Sequence, residues 1–122
     1  MGTPASSPVI VLRRLFDEVW NGGDVDVADS IFMDAAQAKA FIMGFRAYFP
    51  DIVHTVEETV TEGDRVVICW RAQGTHQKAW SGFAATHRVV AFTGLTMAVV
   101  HDGKIQQHKT EWGKASLLEQ LR

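Results

Sequence analysis

Fourteen carboxylates, five histidines and a single cysteine are spread over 122 residues, and no short motif gathers them. The chain contains no GxGxxG, GxxxxGKS/T, GxSxG or HExxH, so dinucleotide cradles, phosphate loops, serine nucleophile elbows and zinc-hydrolase helices are not spelled out locally. His54, His76, His87, His101 and His108 occupy separate segments, and none pairs with another at the spacing of a zinc site, so neither a metal nor a cofactor is expected. Cys69 has no second cysteine for a disulfide or a CxxC redox pair; it reads as a small strand hydrophobe. Proton transfer by a group held among apolar neighbours remains. The stretch Ile52–Thr61 alternates as a strand, and alternation sets Ile52, His54, Val56, Glu58 and Val60 on one side. A carboxylate among valines must be paired, wet, or protonated with a raised pKa. Glu58 is therefore the candidate acid/base, with His54 beside it; the alternative is that both lie in water at an open end of the sheet.

Other stretches extend the same face. Along Arg65–Gln77 the inward set is Val66, Ile68, Trp70, Ala72, Gly74 and His76; along Arg88–Val100 it is Phe92, Gly94, Thr96, Ala98 and Val100; along Lys104–Trp112 it is Gln106, His108, Thr110 and Trp112. His108 and the hydroxyls of Thr96 and Thr110 thus converge. Small residues beside Trp70, Phe92 and Trp112, with Trp20 from the first helix, predict an apolar pocket; a solid aromatic core is the alternative. No other inward position on the sheet is an Asp or Glu, which isolates Glu58.

These strands need a helical layer. Val9, Leu12, Leu15, Phe16, Val19 and Trp20 recur at three- and four-residue steps and predict a helix over Val9–Trp20, stopped by Asn21-Gly22-Gly23. Asp24 and Asp34 suit the N-caps of helices over Val25–Phe32 and Ala35–Phe49, and Pro50 ends the helical block. Thereafter the period falls to two, with Glu62-Gly63-Asp64 and His101-Asp102-Gly103 as tight hairpin turns. Helices in one block and strands in another predict an α+β fold, the helices packed on one face of a curved antiparallel sheet. The length suits one domain over residues 1–122, with residues 1–8 a loose leader whose Ser7-Pro8 sets up the first helix.

At 47% hydrophobic and 21% charged the composition is that of a globular chain, not a disordered one. Twelve Lys+Arg against fourteen Asp+Glu give a net charge of -2, with no basic stripe, so a nucleic-acid partner is not expected. The start MGTPASSPVIVLRRLF lacks a basic region ahead of an apolar one and its apolar run is too short to span a bilayer; a cytoplasmic protein with no membrane partner is expected.

The stretches FPDIVHTVEETVTEGDRVVICWRAQGTH (Phe49 to His76) and VVAFTGLTMAVVHDGKIQQHKTEW (Val89 to Trp112), with the opening FDEVWNGGDVDVADSIF and the closing SLLEQL, resemble the SnoaL-like polyketide cyclase family within the nuclear transport factor 2-like superfamily. The resemblance covers nearly the whole chain. It implies a cone-shaped curved sheet around one apolar pocket, and members that are cyclases, isomerases, epoxide hydrolases or proteins of no known activity. It also implies a homodimer through the outer sheet face, which here carries Val67, Cys69, Val89 and Val99. Two departures stand out: Phe32 runs almost directly into Asp34, where the family has a further strand and loop, and the cyclase acid/base pair falls on Thr96 and Thr110, which cannot transfer that proton.

The expectation is therefore an acid–base enzyme acting on an apolar, carbonyl- or epoxide-bearing small molecule. Glu58, His54 and His108 would be catalytic, and Trp20, Trp70, Phe92, Thr96, Thr110 and Trp112 would line the substrate pocket. The alternative is a non-catalytic ligand-binding or dimerisation module of the same fold.

Overall fold

The computed structural model describes residues 7–122; the greater part of the expected leader lies outside the described residues. Pro8 opens α1 (Pro8–Arg14) with Ser7 as N-cap, the position at which proline's missing N–H costs nothing. The predicted single helix continues instead as a wider π-helical segment, Leu15–Asn21. Its Leu15, Phe16, Val19 and Trp20 are all buried. A 3-10 turn (Val25–Val27) and α2 (Ala28–Ile31) follow, and the Asp24 side chain makes no cap hydrogen bond. Asp34 does help start α3 (Ala36–Tyr48): its Oδ1 accepts the Ala36 N–H at 3.1 Å.

Four strands, β1 (Val53–Glu62), β2 (Arg65–Thr75), β3 (Val89–His101) and β4 (Lys104–Trp112), make one antiparallel sheet in the order β1-β2-β3-β4. Both predicted hairpin turns are present, with positive φ at Gly63 and at Asp102 and Gly103. α4 (Lys114–Leu121) lays Leu117 and Leu121 back onto the core. Every predicted inward residue from Val66 to Gly74 of β2, and His76 just beyond it, is buried, so alternation holds along that strand.

It fails on β1. A bulge shifts the register between Val56, which pairs with Trp70, and Glu58, which pairs with Cys69. One extra residue reverses every side chain beyond it, so Thr59 now faces Ile68 while Glu58 is exposed and Val60 is 58% exposed. The expectation of an inward Glu58 is thereby corrected. A second register shift, between Val99 and Val100, places one extra residue, Gln106, in β4. Ile105 is buried and Gln106, expected to face inward, is exposed, and Val99, expected on the outer face, is buried.

Free strand edges carry unpaired amides that need a partner. Asn21 supplies one to β1: its Nδ2 donates to the His54 carbonyl at 2.8 Å and its Oδ1 accepts the His54 N–H at 2.7 Å. Gln120 does the same for Ala91 of β3, donating to its carbonyl at 2.7 Å and accepting its N–H at 2.9 Å. Where the family resemblance suggested a missing strand, Phe32 makes a single parallel bridge to Ile105 of β4.

Candidate functional site

Between the helical layer and the inner sheet face lies a cavity of about 450 Å³. The π-helical segment contributes Leu15, Phe16 and Trp20; α3 contributes Gln37, Ala38, Phe41, Ile42 and Phe45; the sheet contributes His54, Trp70, Phe92, Thr96, His108, Lys109, Thr110 and Trp112. Eight of the nine residues singled out from sequence meet here, and Glu58 does not. No Asp or Glu lines the cavity among the described residues.

Phe45, on the helix stripe, organises the aromatic wall. Its ring lies 5.9 Å from Phe92, 5.8 Å from Trp112 and 5.9 Å from Trp20, each edge-on or nearly so. Such offset and tilted contacts are favoured by the ring quadrupoles. Phe41 is 56% exposed, so it forms a rim. Phe41, Ile42 and Phe45 were not among the pocket residues expected from the sequence; their spacing along α3, a helix stripe facing a sheet with aromatic inward positions, is the signal for them.

Gly94 explains where the space near Trp70 goes. It pairs with Trp70 on one side and Trp112 on the other, and a Cβ there would fall 2.4 Å from the Trp70 ring. The indole thus occupies the space that the small residue was expected to leave empty.

His54 stands at the closed end, 5% exposed. Its ring is 4.6 Å from Trp20, 4.9 Å from Trp70 and 5.5 Å from Phe16, and its Nδ1 is buried with no hydrogen-bond partner. Burial among these rings, with a smaller repulsion from Arg46, lowers its pKa to about 3, so the imidazole is neutral at physiological pH. Arg46 itself is held by the Trp20 and Pro50 carbonyls. The Asn21 clamp fixes the backbone that carries His54.

His108 sits at the mouth. Phe32 meets its ring edge-on at 5.1 Å, and although the residue keeps contact with solvent, partial burial lowers its pKa from the usual imidazole value. Beside it, Thr96 and Thr110 are cross-strand partners whose hydroxyls are 2.8 Å apart. The Trp70 Nε1–H donates to Thr96 Oγ1 at 3.0 Å.

The sequence profile of the SnoaL-like polyketide cyclases matches residues 10–121. A proposed polyketide cyclase from Acidithiobacillus ferrooxidans has a similar structure, with TM-score 0.87 at 22% identity, covering 99% of this chain and 98% of that one. IdmH, a proposed polyketide cyclase from Streptomyces antibioticus, gives 0.84 at 26% identity over 93% of this chain and 97% of its own. AclR from Streptomyces galilaeus, a proposed hydroxylase, gives 0.84 at 21% over 93% and 94%. No curated protein matches the chain.

Proposed function

Because the chain belongs to the SnoaL-like polyketide cyclase family, we propose that it catalyses proton transfer on an apolar, carbonyl-bearing small molecule of polyketide type, using histidine where a carboxylate was expected. The observation that supports this reading is the pair of neutral imidazoles in a largely apolar cavity that no Asp or Glu lines among the described residues. His108, at the mouth with a lowered pKa, is the base: its free ring nitrogen takes a proton from the carbon beside the carbonyl, leaving an enolate and an imidazolium. In a cyclase the enolate carbon then attacks a second carbonyl of the same molecule, and the imidazolium returns its proton to the new alkoxide. His54, with a pKa of about 3, is too weak a base for that step and shapes the closed end.

A probe that needs no native substrate tests this. In D2O the protein should accelerate exchange of the α-hydrogens of 2-tetralone, an apolar ketone small enough for the cavity. His108→Gln should lower the protein-dependent rate by about 10²- to 10⁴-fold, the usual loss of a general base. The rate should rise with pH through the His108 pKa, below the ordinary imidazole value, and level off by neutrality.

A second reading, a binder that shapes a reactive ligand without acid–base catalysis, is favoured by the threonines at the cyclase pair positions. It takes over if 2-tetralone alters tryptophan emission, so that it binds, yet exchanges at the buffer rate.

A further inference from the structure

We infer that Thr110 is the ligand-reading donor of the cavity, a hydroxyl whose hydrogen is aimed at a ligand oxygen by a relay running from Trp70 through Thr96. The inference rests on the reading that this cavity binds a ligand, and it holds whether or not His108 moves a proton.

Direction follows from accounting for hydrogens. Trp70 Nε1 can only donate, and it donates to Thr96 Oγ1 at 3.0 Å. Thr96 is 2% exposed, and the acceptor within reach of its own hydrogen is Thr110 Oγ1 at 2.8 Å. A buried hydroxyl hydrogen without an acceptor is costly, so Thr96 donates and Thr110 accepts. Thr110 has then filled an acceptor position and still holds one hydrogen. Thr110 is exposed and lines the cavity, so that hydrogen is left for whatever occupies the mouth.

The consequence is chemical selectivity. Each donor in such a chain is polarised by the one before it, which favours an acceptor that can carry negative charge: a carbonyl oxygen, an enolate or a phenolate. A bare hydrocarbon gains nothing there. The same strand face carries His108, two residues away, so a carbonyl held by Thr110 is presented next to the proposed base.

Binding of 2-tetralone and of tetralin, the same bicycle without the carbonyl, measured by tryptophan fluorescence, tests the assignment. The ratio of the two dissociation constants removes the contribution of the shared hydrocarbon. Thr110→Val, which keeps the shape and removes the hydroxyl, should reduce the relative preference for the ketone by about two- to tenfold, the worth of one net hydrogen bond. Thr110→Ser should retain it. Thr96→Val should weaken the preference less while lowering the melting temperature, because the Trp70 N–H loses its acceptor. An unchanged ratio in Thr110→Val, with both ligands bound, overturns the relay alone. If neither ligand binds the folded wild-type protein, the ligand reading falls and the relay with it. A changed ratio without catalysed exchange keeps the relay and removes only the proposed enzyme.

Discussion

The two ends of the cavity use the same side chain to opposite effect. At the closed end His54 is enclosed by Trp20, Trp70 and Phe16, and the cost of charging it there takes it out of the physiological range. At the mouth His108 has Phe32 on one side and solvent on the other, so it is shifted in the same direction while remaining reachable. A histidine's position in the cavity, more than its presence, decides whether it can exchange protons with a ligand.

The largest effect that would sharpen this contrast is on stability in acid. The folded pKa of His54 lies below the unfolded value of roughly 6.5. Its contribution to stability is therefore fully present above that unfolded value. Below it the unfolded state takes up the proton that the folded state refuses, and stability falls with decreasing pH toward 3. One such group gives a slope of up to about 1.4 kcal/mol per pH unit. His108 adds a loss of the same sign. Denaturant unfolding from pH 7 to 4 should show the fall in wild type and a shallower one in His54→Leu. Parallel curves for the two proteins would mean that His54 is not sealed.

A smaller effect probes the packing that seals it. Gly94→Ala places a Cβ 2.4 Å from the Trp70 ring and 2.9 Å from the Glu111 carbonyl, so the indole must move off the sheet. Overpacking of this kind costs about 1–3 kcal/mol. Because Trp70 also stands beside His54 and holds Thr96, the closed end should loosen and the acid slope should flatten. Chemical unfolding and tryptophan emission check both halves of that expectation.

How far the sequence carried these conclusions depended on whether a feature has a residue signature. The change of period at Pro50 has one, and so do the Gly63 and Gly103 hairpins; the four-stranded antiparallel sheet follows from them. Parity along β2 was legible because eleven residues run without interruption. The bulge in β1 lies in His54-Thr55-Val56-Glu57-Glu58-Thr59-Val60, where no glycine or proline announces it, and its existence depends on pairing with β2. Parity counted past it was therefore inverted. Glycine was legible as missing volume at Gly94, but not as volume already filled by a cross-strand indole. Trp80 and Phe83, which bridge each other in the loop before β3, had a signal in Ser81-Gly82, and Trp80 extends the aromatic cluster through Phe45 and Phe49.

The smallest expected effect falls on Glu58. Alternation alone places it among the core valines, where removing its charge would change both rate and stability. The register shift places it outside, opposite Cys69, with its side chain in water. It has no salt-bridge partner among the described residues, and an exposed, unpaired carboxylate contributes little in either direction. Glu58→Gln should therefore leave the unfolding free energy within about 0.5 kcal/mol of wild type, the usual range for surface substitutions. It should also leave the exchange rate of 2-tetralone and its pH profile unchanged, since neither the cavity nor His108 senses it. A hundredfold loss of exchange in Glu58→Gln, with binding retained, would restore the unbulged strand as the working conformation and return the proton to a carboxylate. A null result leaves His108 as the proton-transfer group that the open end can offer.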